Sequence, residues 1–213
     1  MLGTQHLWLF VVSGLLLNIT PGPDSLLILS RSAAHGWRAG LAVTWGIGAG
    51  TCVHVLAAAL GLSALLATSA AAFTVVKVVG AIYLVWMGLG MLRRRASTGD
   101  EAVAVIGPVS APRLRDLFAQ GFLTNVLNPK VALFFLAFVP QFIAPGAPSK
   151  PLAFLFLGAL FDVDGMLWCH ALALSAAFAG RRLKVGAAAV RWLQRTMGVL
   201  FVALGVRLAL ATR

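Results

Sequence analysis

Asn18-Ile19-Thr20-Pro21-Gly22-Pro23-Asp24 lies inside an otherwise apolar run from Leu7 to Leu29. Pro21 and Pro23 carry no N–H and Gly22 adds backbone freedom, so no regular helix passes through. The carbonyls freed there must find partners within protein or a wet cavity. Asp24 can carry a proton or hold a cationic group, and a half-helix starting beside it would favour its charge. The plain alternative is an N-cap for that half-helix. The motif has an echo in Asn125-Val126-Leu127-Asn128-Pro129-Lys130, again within an apolar run. Asn18, Asn125 and Asn128 both donate and accept, so they suit a polar substrate or the loose carbonyls equally. Lys130 can pair with an acid or bind a substrate carboxylate. Its position deep within the apolar run leaves little scope for snorkelling to water.

Two more carboxylates, Asp162 and Asp164, fall in the apolar run Leu152–Phe178. A charge near the bilayer centre costs ~2.5–3.5 kcal/mol on insertion scales, which argues against an idle one. At a separation of two residues they point to different helix faces, so one of them is expected to face a pathway. His54 and His170 are secondary candidates for titration during transport. With Cys52 and Cys169 they also make a soft-metal set on paper. Cys52 and His54 are two apart, however, and do not face each other on a helix.

These residues must be positioned by membrane helices. The chain has 213 residues, 60% hydrophobic and 11% charged, with a mean hydropathy of +0.93. A soluble domain carries roughly 25% charged residues. Six runs are long enough to span: Leu7–Leu29, Leu41–Leu66, Phe73–Leu92, Leu117–Val139, Leu152–Phe178 and Trp192–Leu210. They are too continuous for barrel strands. The first lacks a basic leader and a small-residue cleavage site and reads as a retained span. No phosphate-binding loop is present, and no cofactor is called for.

The net charge of +11 resides largely in short connections, which argues against a nucleic-acid partner. Arg31 and Arg38 fall between spans one and two. Arg93, Arg94, Arg95, Arg113 and Arg115 fall between three and four. Arg181, Arg182, Lys184 and Arg191 fall between five and six. The positive-inside rule then expects both termini on the non-cytoplasmic face.

The order of features repeats. Spans one and four carry the breaks, spans two and five a late histidine, spans three and six a glycine ladder (Gly80 and Gly88; Gly198 and Gly205). Three spans per half make the second half inverted. The expected fold is an all-α integral membrane protein of six transmembrane helices, arranged as two inverted three-helix repeats with helices one and four broken. It forms a single domain over 1–213, with repeat one at about 7–92, a cytoplasmic linker at 93–116 and repeat two at about 117–210. This is an architecture of secondary transporters, with the site at the repeat interface.

Pro21-Gly22-Pro23-Asp24, Arg38-Ala39-Gly40, the stretch Gly121-Phe122-Leu123-Thr124-Asn125-Val126-Leu127-Asn128-Pro129-Lys130 and Pro140-Gln141-Phe142 resemble the LysE/RhtB family of amino-acid exporters. The resemblance covers essentially the whole chain. It implies a bacterial inner-membrane exporter of amino acids or related small metabolites, driven by the proton gradient. It also implies an acidic residue in span five followed by an aliphatic-Trp stretch. Asp164-Gly165-Met166-Leu167-Trp168 fits that pattern and favours Asp164 over Asp162. His170 stands where the family often has Tyr. The expected partners are an amino acid, protons and the lipid bilayer, and a homo-oligomer is compatible with the sequence. Two other readings stay open: export of a soft divalent metal through Cys52, His54, Cys169 and His170, and a membrane thiol oxidoreductase using the two cysteines.

Overall fold

The computed structural model describes residues 2–62 and 112–179 without interruption, and isolated helical positions within 74–93 and 195–209. The first broken span is α1 (Leu7–Ile19) followed by α2 (Pro23–His35), bent by 53° at Thr20–Gly22. Thr20 leaves the helix with ψ 121°, as a residue preceding proline must. Gly36 alone separates α2 from α3 (Trp37–Ala57). It takes φ 80°, a left-handed value that suits glycine, and this permits the sharp reversal. α3 runs on through a π-helical turn, Ala58–Leu62.

The second broken span is α4 (Leu114–Val126) and α5 (Pro129–Leu133). α5 continues through a π-helical turn, Phe134–Phe138, and a 3₁₀ turn, Val139–Phe142. The two parts meet at 45°. α6 (Lys150–Ala179) is unbroken over 30 residues. α3 and α6 are each long and apolar enough to span a membrane, and each bent pair passes the same test when taken together. The described residues are therefore helical, with no strand beyond an isolated bridge between Thr4 and Ile143.

The described helices run past the ends of the apolar runs, most of all between the first two spans. α2 extends six residues beyond Leu29, because nothing from Ser30 to His35 breaks a helix. Arg31 thus sits on α2 and Arg38 in the first turn of α3, rather than in a loop. The short turn at 67–72, most of the linker at 93–116 and the basic cluster at 181–191 lie outside the described residues, as do Gly80 and Gly88. Gly205 is described: a Cβ there would meet Val85 and the Ala81 carbonyl within 3 Å, so these two segments approach closely.

α3 and α4 pack backbone to backbone. A Cβ at Gly46 would collide with the Phe118 carbonyl, and one at Gly121 with the Val43 carbonyl. Small residues permit such contact where no hydrophobic force joins helices. Two apolar clusters flank the middle of the bundle. One, rich in aromatics, joins Phe10 of α1 to Phe134, Phe135, Phe138 and Phe142 beyond the second break and Phe161 of α6. The other joins Ile28, Val43, Ile47, Leu117, Cys169 and Ala173.

Candidate functional site

Pro21 and Pro129 each deprive an identifiable carbonyl of its helical donor. In a helix the C=O of residue i accepts from the N–H of residue i+4. Pro21 has no N–H for Leu17, and Pro129 has none for Asn125. Both carbonyls are served by side chains from other helices. Lys130 Nζ donates to the Leu17 carbonyl at 2.6 Å and to the Thr20 carbonyl at 2.9 Å. His54 Nε2 lies 3.0 Å from the Asn125 carbonyl, which requires the proton on Nε2. The backbone N–H of Asn128 also reaches that carbonyl at 2.9 Å. The Thr20 N–H likewise reaches the Leu17 carbonyl at 3.2 Å, so at both breaks a tertiary side-chain bond supplements a local backbone one.

Asp24 links the halves. Asn125 Nδ2 donates to Asp24 Oδ2 at 2.9 Å, and Asn128 Nδ2 to the same oxygen at 3.1 Å. Both amides are held in orientation from behind. Thr51 Oγ1 lies 3.4 Å from Asn125 Oδ1, and the Lys130 N–H donates to Asn128 Oδ1 at 3.0 Å. Asn128 is therefore the N-cap of α5. Asp24 is not an N-cap: Gly22 holds that place in α2, and the Asp24 carboxylate reaches across to the second break instead. Asn125 and Asn128 are 2% and 3% exposed, so these bonds are sheltered from water.

Asp24 Oδ1 is buried with no partner, and so is Asn18 Nδ2. Both residues line a cavity of about 30 Å³ between the broken spans, α3 and α6. Gly22, Asn125, Asn128, Lys130 and Asp162 also line it, with Leu17, Ile47, Val131, Phe161 and Met166 as its apolar wall. A ligand pocket spans ~300–1,000 Å³. At this volume the cavity, in this conformation, has room for water but not for an amino acid.

The two aspartates of α6 separate. Asp162 shares a face with Met166 and Cys169 and lines the cavity. Its Oδ2 lies 4.0 Å from Cys52 Sγ. Asp164, two residues on, turns toward α1, where its buried Oδ2 has no partner and lies near Gly14. The helical period places the two side chains on different faces, so the family pattern and the cavity geometry point to different residues. Pro21, Pro23 and Pro129 shape the backbone without lining the cavity. Gly165 gives room to Asn18, whose amide would lie 3.1 Å from a Cβ there.

The histidines part company as well. His170 Nδ1 bonds the Met166 carbonyl of its own helix at 2.7 Å and its ring meets Trp45 edge-on. His54 stacks on Phe135. Among the described residues no three His, Cys, Asp or Glu side chains gather as a metal would need. Cys52 is exposed, Cys169 is buried, and both are free. Neither the metal reading nor the thiol reading finds its constellation. Thr51 escaped the sequence reading. The signal was present in Thr51 and His54, three apart on one helix face that meets Asn125.

Two broken helices meet at a buried polar cavity within an apolar bundle, an arrangement known from multi-pass membrane transporters. The profile of the LysE type translocator family matches residues 15–212. An uncharacterized membrane protein of Pseudomonas aeruginosa is 33% identical, covering 99% of this chain and 98% of its own length. Leucine efflux proteins of Enterobacter sp. and Klebsiella pneumoniae are each 30% identical, covering 97% of this chain and 96% of theirs. No solved structure matches. The chain belongs to the LysE type translocator family and is a transporter rather than an enzyme.

Proposed function

We propose that the protein exports a neutral amino acid with an apolar side chain, leucine or a close relative, across the bacterial inner membrane. The observation that carries this reading is the cavity at the two breaks. It offers a carboxylate with one oxygen pinned and the other buried without a partner, against an apolar wall. A zwitterion needs an anionic partner for its ammonium group. Asp24 Oδ1 supplies one from the first break and Asp162 a second from α6. The Asn18 amide donates toward the substrate carboxylate. Leu17, Ile47, Val131, Phe161 and Met166 would receive an aliphatic side chain rather than a charged one. Leucine efflux relatives that align over nearly the whole chain support the same cargo.

The wider arrangement is six spans in two inverted repeats, with the linker cytoplasmic and both termini on the other face. The matched breaks, at 53° and 45°, support the repeat. Proton antiport would supply the driving force, with Asp24 or Asp162 exchanging its proton for the substrate ammonium. A proton moved through the potential is worth ~2.3 kcal/mol per 100 mV. The deciding experiment uses inverted membrane vesicles energised by respiration. Radiolabelled leucine should accumulate, unlabelled isoleucine, valine and methionine should compete, lysine and glutamate should not, and a protonophore should collapse the gradient. Accumulation that competes only with lysine would overturn the assignment of cargo.

A further inference from the structure

We propose that the Lys130 ammonium is a tethered cation occupying a monovalent-cation site in the first break. By holding that site, it makes the transporter independent of sodium. The inference goes beyond the choice of cargo and rests on the break alone. Unwound carbonyls and half-helix C-termini are the groups that coordinate Na⁺ in transporters with broken helices. Here those groups are the carbonyls of Leu17 and Thr20 at the C-terminal end of α1, and Lys130 Nζ holds both.

Lys130 stands at an unfavourable place on its own helix. It is the second residue of α5, where the helix dipole disfavours a cation. The C-terminus of α1 is the favourable end of a dipole, and the side chain crosses from one to the other. It passes over Gly22: a Cβ there would lie 3.7 Å from Nζ and 3.8 Å from Cδ. Lys130 is not neutralised by direct pairing with Asp24, because among the described residues the one ion pair within 4 Å is Arg115–Asp116. Its charge is therefore met by backbone oxygens, as that of a bound metal ion would be. The same contacts keep the ammonium engaged across the two halves, with two of its three N–H groups committed to the first break. Lys130 is in this sense a positioning residue, which fixes the first break from the wall of the cavity that Asp24 and Asp162 also line.

The test compares wild type with Lys130→Ala and Lys130→Gln. Purified protein is unfolded thermally in choline, sodium or methylammonium chloride, with no substrate present, so that failure of the cargo assignment leaves the result intact. Export from vesicles is measured in the same salts. Wild type should behave alike in all three. Lys130→Ala opens the site, and sodium or methylammonium should raise its midpoint by ~2–4 °C or more over choline. Export by Lys130→Ala in choline should fall at least about tenfold, the scale of losing a hydrogen bond to a charged group, and recover in part with either cation. Lys130→Gln keeps a donor but fills the space, so it should fold, export poorly and ignore both cations. A wild type that requires sodium would overturn the proposal. So would a Lys130→Ala variant indifferent to both cations, or a Lys130→Gln variant with normal export. The wild-type and Gln arms decide the matter even if Lys130→Ala does not accumulate.

Discussion

His54→Phe removes one hydrogen-bond donor and leaves the ring in place. The phenyl ring can keep the stack on Phe135, where the centroids are 6.3 Å apart and the planes 6° from parallel. What goes is the bond from Nε2 to the Asn125 carbonyl, 3.0 Å long. A buried acceptor left unpaired costs ~1–3 kcal/mol. This carbonyl keeps its bond from the Asn128 N–H, so the low end applies, about 1 kcal/mol. For a chain of this size that is a fall of ~2–4 °C in unfolding midpoint. The reason His54 is needed is that Pro129 has no N–H. Pro129→Ala restores one, and a local return to helix would bring it to Asn125. In that background His54→Phe should cost almost nothing, a coupling of ~1 kcal/mol in a double-mutant cycle. His54→Gln, which keeps a donor, should fall between. Thermal unfolding of the four proteins in detergent provides the cycle. Equal cost of His54→Phe with and without Pro129 would refute the idea that the histidine stands in for the missing N–H.

Other outcomes follow from the same contacts. In Asp24→Asn the amide oxygen can still accept from Asn125 and Asn128, but an NH₂ replaces the unpartnered Oδ1. The protein should insert and fold, yet export should fall to the vesicle background, and normal export would remove Asp24 from the site. Asp162→Asn should reduce export more than Asp164→Asn, because Asp162 lines the cavity and Asp164 faces Gly14; rates in vesicles check the order, and the reverse order would restore the family pattern. Replacing Cys52 and Cys169 together by Ala and Ser should leave leucine export near wild type, whereas a metal or thiol mechanism would lose it. A periplasm-dependent reporter fused after Arg213 should be active if the basic connections lie inside.

The sequence by itself determined the environment, the two places where helices break and the family. Sixty per cent hydrophobic composition with long apolar runs leaves bilayer helices as the fold. The breaks were equally legible, since a proline lacks its N–H whatever surrounds it, and both appear as bends. Even the carbonyls that lose their i+4 donor, Leu17 and Asn125, can be counted from the prolines four residues on. The donors that answer them were another matter. Lys130 lies 113 residues from Leu17, and His54 lies 71 from Asn125. Nothing local brings them together. Glycines at 46 and 121 set the approach of α3 to α4, and packing of that kind decides which side chain meets which carbonyl. The choice between Asp162 and Asp164 has the same character. Their spacing showed that one must turn from the cavity, and only the rotation of α6 against α1 and α3 settled which, because a helix fixes the angle between two side chains but not where either one points.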